Sequence, residues 1–239
     1  MSDRPTIGIL LDYETSGSFS KRPHYALRTA YFDAIWKAGG VPVGIPYIEA
    51  ARDAYLDILG GLIVPGGFYT FPPELYGDPS TGEVLHPRYA FEKQLMAEAL
   101  DRNLPTLGIC AGMQVMAAAR GATMWRDINN DLDCDVDHLN EKPAEETAHP
   151  ITIEVGTRLH SIAGSSQISV NTAHNEALNH VPDSIVISAR APDGIIEAIE
   201  LPDRRFAVGV QWHPEFFLDD GDPNFALFKH LIVEAGQSG

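Results

Sequence analysis

The stretch Pro105-Thr106-Leu107-Gly108-Ile109-Cys110-Ala111-Gly112-Met113-Gln114 decides how this chain folds. Its first half, 105–109, is a short apolar run of buried-strand character. Its second half opens a helix over 112–119 with no linker between. A strand that turns through glycines straight into a helix is the building unit of a parallel α/β sheet. Upstream the same alternation recurs. Strands are predicted at 6–11, 41–45 and 62–64, the last ending at Pro65-Gly66-Gly67. Helical spacing covers 25–37, with Ala26, Ala30, Ile35 and Trp36 on one face and Gly39-Gly40 as the stop. Further helices are predicted at 51–59 and 88–101, and the Pro-, Gly- and aromatic-rich segment 68–87 reads as a loop.

Downstream the pattern changes. Residues 151–155, 167–170, 185–189, 194–200 and 206–211 read as strands separated by Gly, Pro and Asp turns rather than helices, and 225–235 closes the chain as a helix. The expected fold is α/β: a mostly parallel central sheet flanked by helices, with antiparallel additions in the C-terminal half. No repeat or linker interrupts it, so residues 1–239 are read as one domain.

Composition narrows the function classes. The 239 residues carry 17 Lys+Arg against 33 Asp+Glu, a formal charge of −16, so nucleic acid and anionic membranes are poor partners. At 44% hydrophobic and 21% charged, the chain belongs with globular rather than disordered sequences. No apolar run reaches the roughly 20 residues needed to span a bilayer, and no signal peptide is visible at 1–4. The two cysteines, Cys110 and Cys134, are therefore expected to be reduced, in the cytoplasm.

Cys110 lies in a Gly-x-Cys-x-Gly turn between strand and helix. Such a turn presents a nucleophile above a sheet, and the helix N-terminus beneath it favours thiolate. A nucleophilic thiol needs an acid–base partner. His213, in Val210-Gln211-Trp212-His213-Pro214-Glu215, fits at neutral pH, and Glu215 stands close enough to accept its other ring N–H. His213 follows Cys110 by 213 − 110 = 103 residues, so only the fold can join them.

Taken together, these segments resemble the class I glutamine amidotransferase-like, flavodoxin-like family, and within it the peptidase C26 branch of stand-alone γ-glutamyl hydrolases that act on γ-glutamyl-γ-aminobutyrate. The resemblance rests on Arg4-Pro5-Thr6-Ile7-Gly8-Ile9, Ala38-Gly39-Gly40-Val41-Pro42, Pro65-Gly66-Gly67, Leu75-Tyr76-Gly77, Leu107 through Gln114, Val170-Asn171-Thr172-Ala173-His174 and Gly209 through Glu215. It implies that Cys110 attacks a γ-glutamyl carbonyl to form a thioester. His213 would then protonate the leaving amine and activate water, with Glu215 orienting it. The backbone N–H groups of Gly67 and Ala111 would hold the oxyanion. Gln114, Asn171, Thr172 and His174 match positions around the glutamyl head group. The implied partner is a small γ-glutamyl amine, no metal or organic cofactor is needed, and a homodimer is compatible with the pattern.

Three positions depart from the branch: Ala111 replaces a basic residue, Asn175-Glu176 replaces His-Gln, and Tyr89 replaces Asp. Loss of one positive charge and gain of a negative one favour a neutral or cationic amine half, such as a γ-glutamyl polyamine in polyamine catabolism. Two rival readings remain: a glutaminase subunit feeding ammonia to a separate synthase, and a non-catalytic regulator on the same fold.

Other features are set aside. The acids Asp127, Asp131, Asp133, Asp135 and Asp137 lack EF-hand spacing and read as a solvated loop. Cys134 lies in that loop and reads as incidental. Gly66-Gly67 lacks the Gly-Lys-Ser/Thr of a phosphate loop. His86, His138, His149, His160, His180 and His230 show no metal-like pairing in sequence, so each reads as structural or exposed, and no metal site is expected.

Overall fold

A computed structural model describes residues 4–69, 71–78, 86–132 and 134–237. Thr70, part of the loop read at 68–87, and Asp133 of the acidic stretch lie outside the described residues, as do 1–3, 79–85 and 238–239. In chain order the elements begin β1 (Thr6–Leu10), β2 (Asp12–Glu14), β3 (His24–Ala26), α1 (Thr29–Ala38), β4 (Val41–Ile45), α2 (Arg52–Ile58) and β5 (Gly61–Val64). Then come α3 (Pro87–Asp101), β6 (Thr106–Ile109), α4 (Ala111–Ala118), β7 (Met124–Trp125), α5 (Ile128–Asp131), β8 (His149–Ile153) and α6 (Arg158–Ala163). The chain finishes with β9 (Gln167–Val170), β10 (Ala177–Leu178), β11 (Val186–Arg190), β12 (Ile196–Glu200), β13 (Ala207–Val210) and α7 (Pro223–Gly236).

Nine strands form one sheet in the order β4-β1-β5-β6-β13-β12-β11-β8-β9. Strands β4, β1, β5, β6 and β13 run parallel; β12, β11, β8 and β9 are added antiparallel. Every residue of β5, β6 and β13 is buried, as expected for strands covered on both faces. Helices α2, α3 and α4 close one face around Leu56, Leu95 and Met113, and α1, α6 and α7 close the other around Tyr31, Leu159 and Phe228.

The structure departs from the sequence expectations in the following ways. Strand β13 lies in the C-terminal half yet is parallel to β6, with Val210 opposite Ile109. The first helix begins at Thr29 rather than 25, because His24–Ala26 pairs with Asp12–Glu14 in a hairpin. A helix, α6, does interrupt the second-half strands, and α5, β7 and β10 were not anticipated. Pro73–Tyr76 forms a 3₁₀ turn inside the segment read as loop. Among the described residues, no helix is long and apolar enough to cross a membrane.

Candidate active site

The β6–α4 junction is a strained elbow. Cys110 adopts φ 52°, ψ −111° and caps α4, a backbone region that costs a non-glycine residue of order 1–3 kcal/mol. The flanking glycines are required by close approach. A Cβ on Gly112 would stand 1.9 Å from the Val64 carbonyl oxygen, and one on Gly108 would stand 2.6 Å from the Gly112 oxygen. The amides of Met113 and Gln114 donate to the Cys110 carbonyl. Ala111 N–H opens the helix, where no preceding turn offers an acceptor. Cys110 itself is buried, at 6% exposure.

The β6–β13 register brings the base to the thiol. Cys110 N–H donates to Val210 O at 2.7 Å, so the chain leaving β13 emerges beside the elbow. The His213 imidazole then stands beside Cys110 over Gly66, on the wall of the same cavity. Its Nδ1 pairs with Glu215 Oε1 at 2.9 Å, and both residues are buried. Burial pushes the imidazole pKa down, but the Glu215 carboxylate and Cys110 outweigh it and raise it from 6.5 to about 10. The His213 backbone is fixed too: its N–H donates to Asn171 Oδ1 at 2.8 Å, and its carbonyl accepts from Asn171 Nδ2 at 3.0 Å. Thr172 Oγ1 donates to His138 O at 2.9 Å. The structure thus engages Asn171 and Thr172 with backbone atoms of neighbouring segments.

Gly66 and Gly67 face the same thiol. A Cβ on Gly66 would lie 2.6 Å from His213 Cε1, and one on Gly67 would lie 2.1 Å from Arg88 Nη1. Arg88 is fully buried under this turn. It donates to Gly66 O at 3.1 Å and Pro65 O at 2.7 Å, and pairs with Glu92 at 2.5 Å and Asp12 at 3.3 Å. Burial and the neighbouring Tyr69 hydroxyl set the Glu92 environment: burial raises its carboxyl, and Arg88 opposes that rise. Tyr31 holds the other side, its hydroxyl accepting Gly66 N–H at 3.1 Å while facing the Glu215 carboxylate.

Cys110 sits between two cavities. The larger, about 440 Å³, is shared with His213 and carries Asp12, Glu14, Arg28 and Tyr31 on its walls. The smaller, about 120 Å³, is lined by Gly67, Tyr69, Gln114, His174, Asn175 and Glu176. Gln114 Nε2 donates to Glu176 O at 3.1 Å and Gln211 Oε1 at 3.2 Å. The Glu176 carboxylate receives the Tyr76 hydroxyl. Burial raises its pKa; Tyr76 and Arg126 act the other way.

Sequence reasoning missed Tyr31, Arg88 and Glu92 as supports, for no local motif marks them. It also missed a histidine cluster. His138 and His149, read as separate, converge with His174 around Glu197. Their positions 138, 149, 174 and 197 fall on four segments, so no spacing rule could pair them. The acidic stretch, read as a solvated loop, opens with a short helix instead: Asp127 caps α5 through Asn130 N–H, and further on Asp137 accepts from Leu139 N–H. Cys110 and Cys134 are not joined by a disulfide.

The chain is 31% identical to a glutamine amidotransferase-like protein of Rickettsia prowazekii, over 97% of this chain and 98% of that one. It is 29% identical to γ-glutamyl-γ-aminobutyrate hydrolase PuuD of Escherichia coli, over 97% and 93%. In fold it matches the glutaminase domain of Trypanosoma brucei CTPS, solved with bound acivicin, at TM-score 0.65 and 20% identity, over 97% of this chain and 93% of that one. The peptidase C26 profile matches residues 5–215, and the chain belongs to the peptidase C26 family.

Proposed function

We propose that this chain is a cysteine-dependent hydrolase that cleaves the γ-glutamyl amide bond of a small γ-glutamyl amine to glutamate and free amine. The observation that carries the reading is the constellation at one elbow: a strained, buried Cys110 reached by His213, whose far nitrogen is held by Glu215 at 2.9 Å. Cys110 Sγ, having given its proton to His213, attacks the γ-carbonyl carbon. The oxyanion forms against the Gly67 and Ala111 N–H groups. The C–N bond breaks as His213 returns the proton to the amine, leaving a thioester. Water then adds with His213 taking its proton, and the C–S bond breaks to release glutamate and regenerate the thiol. No redox step or added group enters this sequence.

The two cavities suit the two halves of such a substrate. The smaller one, with Gln114 and Glu176 on its wall, takes the glutamyl head. The larger one takes the amine half, and Asp12 and Glu14 on its wall favour a cation. The relatedness to γ-glutamyl-γ-aminobutyrate hydrolase supports the reaction class.

The test is glutamate release from a panel of γ-glutamyl amines and free glutamine, with Cys110→Ala as the blank. Turnover of a γ-glutamyl amine by the chain alone is the expected result. Activity on glutamine only, and only with a co-purifying protein, would replace this reading with that of a glutaminase subunit.

A further inference from the structure

Away from Cys110, three imidazoles point a nitrogen at one carboxylate oxygen. His138 Nδ1 and His174 Nε2 each lie 3.4 Å from Glu197 Oε1, and His149 Nε2 lies 3.8 Å from it. His138 and Glu197 are fully buried, His174 is 3% exposed and His149 7%. These separations are too long for charge-assisted hydrogen bonds, which run about 2.7–2.9 Å. Among the described residues, these three nitrogens and both Glu197 oxygens have no hydrogen-bond partner. Five orphaned polar atoms in one buried spot would be a heavy cost if nothing joined them.

The opposite side of each ring shows what is missing. His138 Nε2 faces Asp193 Oδ2 at 3.0 Å, His149 Nδ1 faces Pro150 O at 3.0 Å, and His174 Nδ1 faces Glu176 O at 3.0 Å. Carbonyl and carboxylate oxygens only accept, so each of these outer nitrogens carries the proton. In a neutral ring the inner nitrogen then presents a lone pair toward Glu197, the form in which an imidazole binds a metal ion. A carboxylate or carbonyl behind each imidazole is the arrangement that orients histidines on a metal.

Distances fit the same conclusion. Tetrahedral ligands bound at about 2.0–2.1 Å stand roughly 3.3–3.4 Å apart. The His138 and His174 nitrogens meet that spacing from Glu197, the ligand atoms of these three residues lie within 4.8 Å of one another, and His149 stands outside that group at 3.8 Å from Glu197. Charge balances as well: a divalent cation would neutralise Glu197 and the buried Asp193 carboxylate behind His138. Three imidazoles and one carboxylate suit a first-row transition ion rather than calcium or magnesium.

We infer that His138, His149, His174 and Glu197 form a structural binding site for a divalent transition-metal ion, zinc fitting best. The ligands come from the loop after α5, from β8, from the loop after β9 and from β12. Bound metal would therefore pin two loops to the sheet. One of them carries Ala173 through Glu176, on the wall of the smaller cavity beside Cys110. The link is short: His174 holds the Glu176 carbonyl, which Gln114 also holds.

The test needs no turnover, so it stands apart from the proposed hydrolysis. The untagged chain, grown with zinc and dialysed exhaustively, is analysed for metal, and the zinc K-edge spectrum gives the coordination shell. The expected result is about one zinc per chain in a nitrogen/oxygen shell near 2.0–2.1 Å. His138→Ala and Glu197→Gln should lose it, while Cys134→Ala should keep it. A folded wild-type chain that holds neither zinc nor added cobalt after dialysis overturns the site. So does a sulfur-containing shell, or full zinc content in folded His138→Ala. If the variants fail to fold, the wild-type stoichiometry and shell decide alone.

Discussion

Replacing Glu215 with glutamine removes a negative charge while keeping shape, and its effect can be worked out from the environment of His213. Burial is the largest influence on that imidazole and lowers its pKa; the Glu215 carboxylate is the next and raises it. Together with Cys110 it brings the value to about 10. Without the carboxylate, burial is opposed by Cys110 alone, and the pKa should return to the neighbourhood of 6.5 or below. At pH 8 an imidazole with pKa near 10 is about 99% protonated, whereas one at 6.5 is about 3% protonated. The protonation change alone then costs roughly thirty-fold at pH 8 and less than two-fold at pH 6. The assay is kcat/KM against pH for both proteins, which reports the free enzyme. The alkaline limb should move from near pH 10 in the wild type toward neutral pH in Glu215→Gln. Because thiol and imidazole interact, the limb belongs to the pair rather than to His213 alone. A variant whose alkaline limb stays where the wild type has it would refute the argument, whatever its absolute rate. The sign for stability follows. A base whose folded pKa is raised stabilises the fold fully below its unfolded value near 6.5, and that contribution is lost as pH climbs through about 10.

Further outcomes follow from the same geometry. Gly112→Ala forces a methyl against the Val64 carbonyl, 1.9 Å away; overpacking of this kind costs about 1–3 kcal/mol or more, read as a melting point lower by several degrees. Arg88→Met strands the buried Glu92 carboxylate and frees the Pro65 and Gly66 carbonyls; a loss of about 3–5 kcal/mol is expected in denaturant unfolding, and an unchanged midpoint would contradict it. Cys134→Ala should keep turnover, since its thiol donates to Ile128 O at 3.5 Å and packs against the Ile128 and Ile195 cluster rather than at the elbow, while Cys110→Ala should abolish it. Asp12→Asn with Glu14→Gln should lower kcat/KM for a γ-glutamyl diamine relative to γ-glutamyl-γ-aminobutyrate, and the difference should shrink as salt screens the cavity.

The layout of the fold was legible where physics acts locally. Strands β5 and β6 are continuous apolar runs, and the Gly108–Gly112 elbow announces a turn that no other residue could make. Helix α6 was not legible. It has six residues, and beside the local Thr157 cap on His160 N–H its first amides are satisfied from afar: Glu200 accepts from Arg158 N–H and Leu159 N–H. A six-residue helix has little propensity of its own, and its local caps, Thr157 and Gly164, are joined by a carboxylate some forty positions downstream that no local pattern reveals. The β2–β3 hairpin was hidden for a related reason. Its three-residue strands are polar, and their pairing of Asp12–Glu14 with His24–Ala26 shows no alternation long enough to read.

The site divides along the same line. Cys110, Ala111, His213 and Glu215 could be picked out because each sits in a short segment with its own chemistry. What holds them could not. The Gly66-Gly67 turn is gripped from below by Arg88, which takes the carbonyls of Pro65 and Gly66 and is itself neutralised by Glu92 and Asp12. The facing wall is held through Gln114 and His174, both bonded to the Glu176 carbonyl. Each grip is a buried charged or imidazole cluster assembled from distant segments, and each would be expensive in a core without a local purpose. Their shared position supplies that purpose, for they flank one thiol. A strained nucleophile keeps its geometry only if its surroundings cannot relax, and here both flanks consist of buried polar groups whose displacement would leave charges or lone pairs unsatisfied. On this argument the rigidity of the Cys110 elbow comes less from the glycines that permit it than from the buried clusters that prevent its walls from moving.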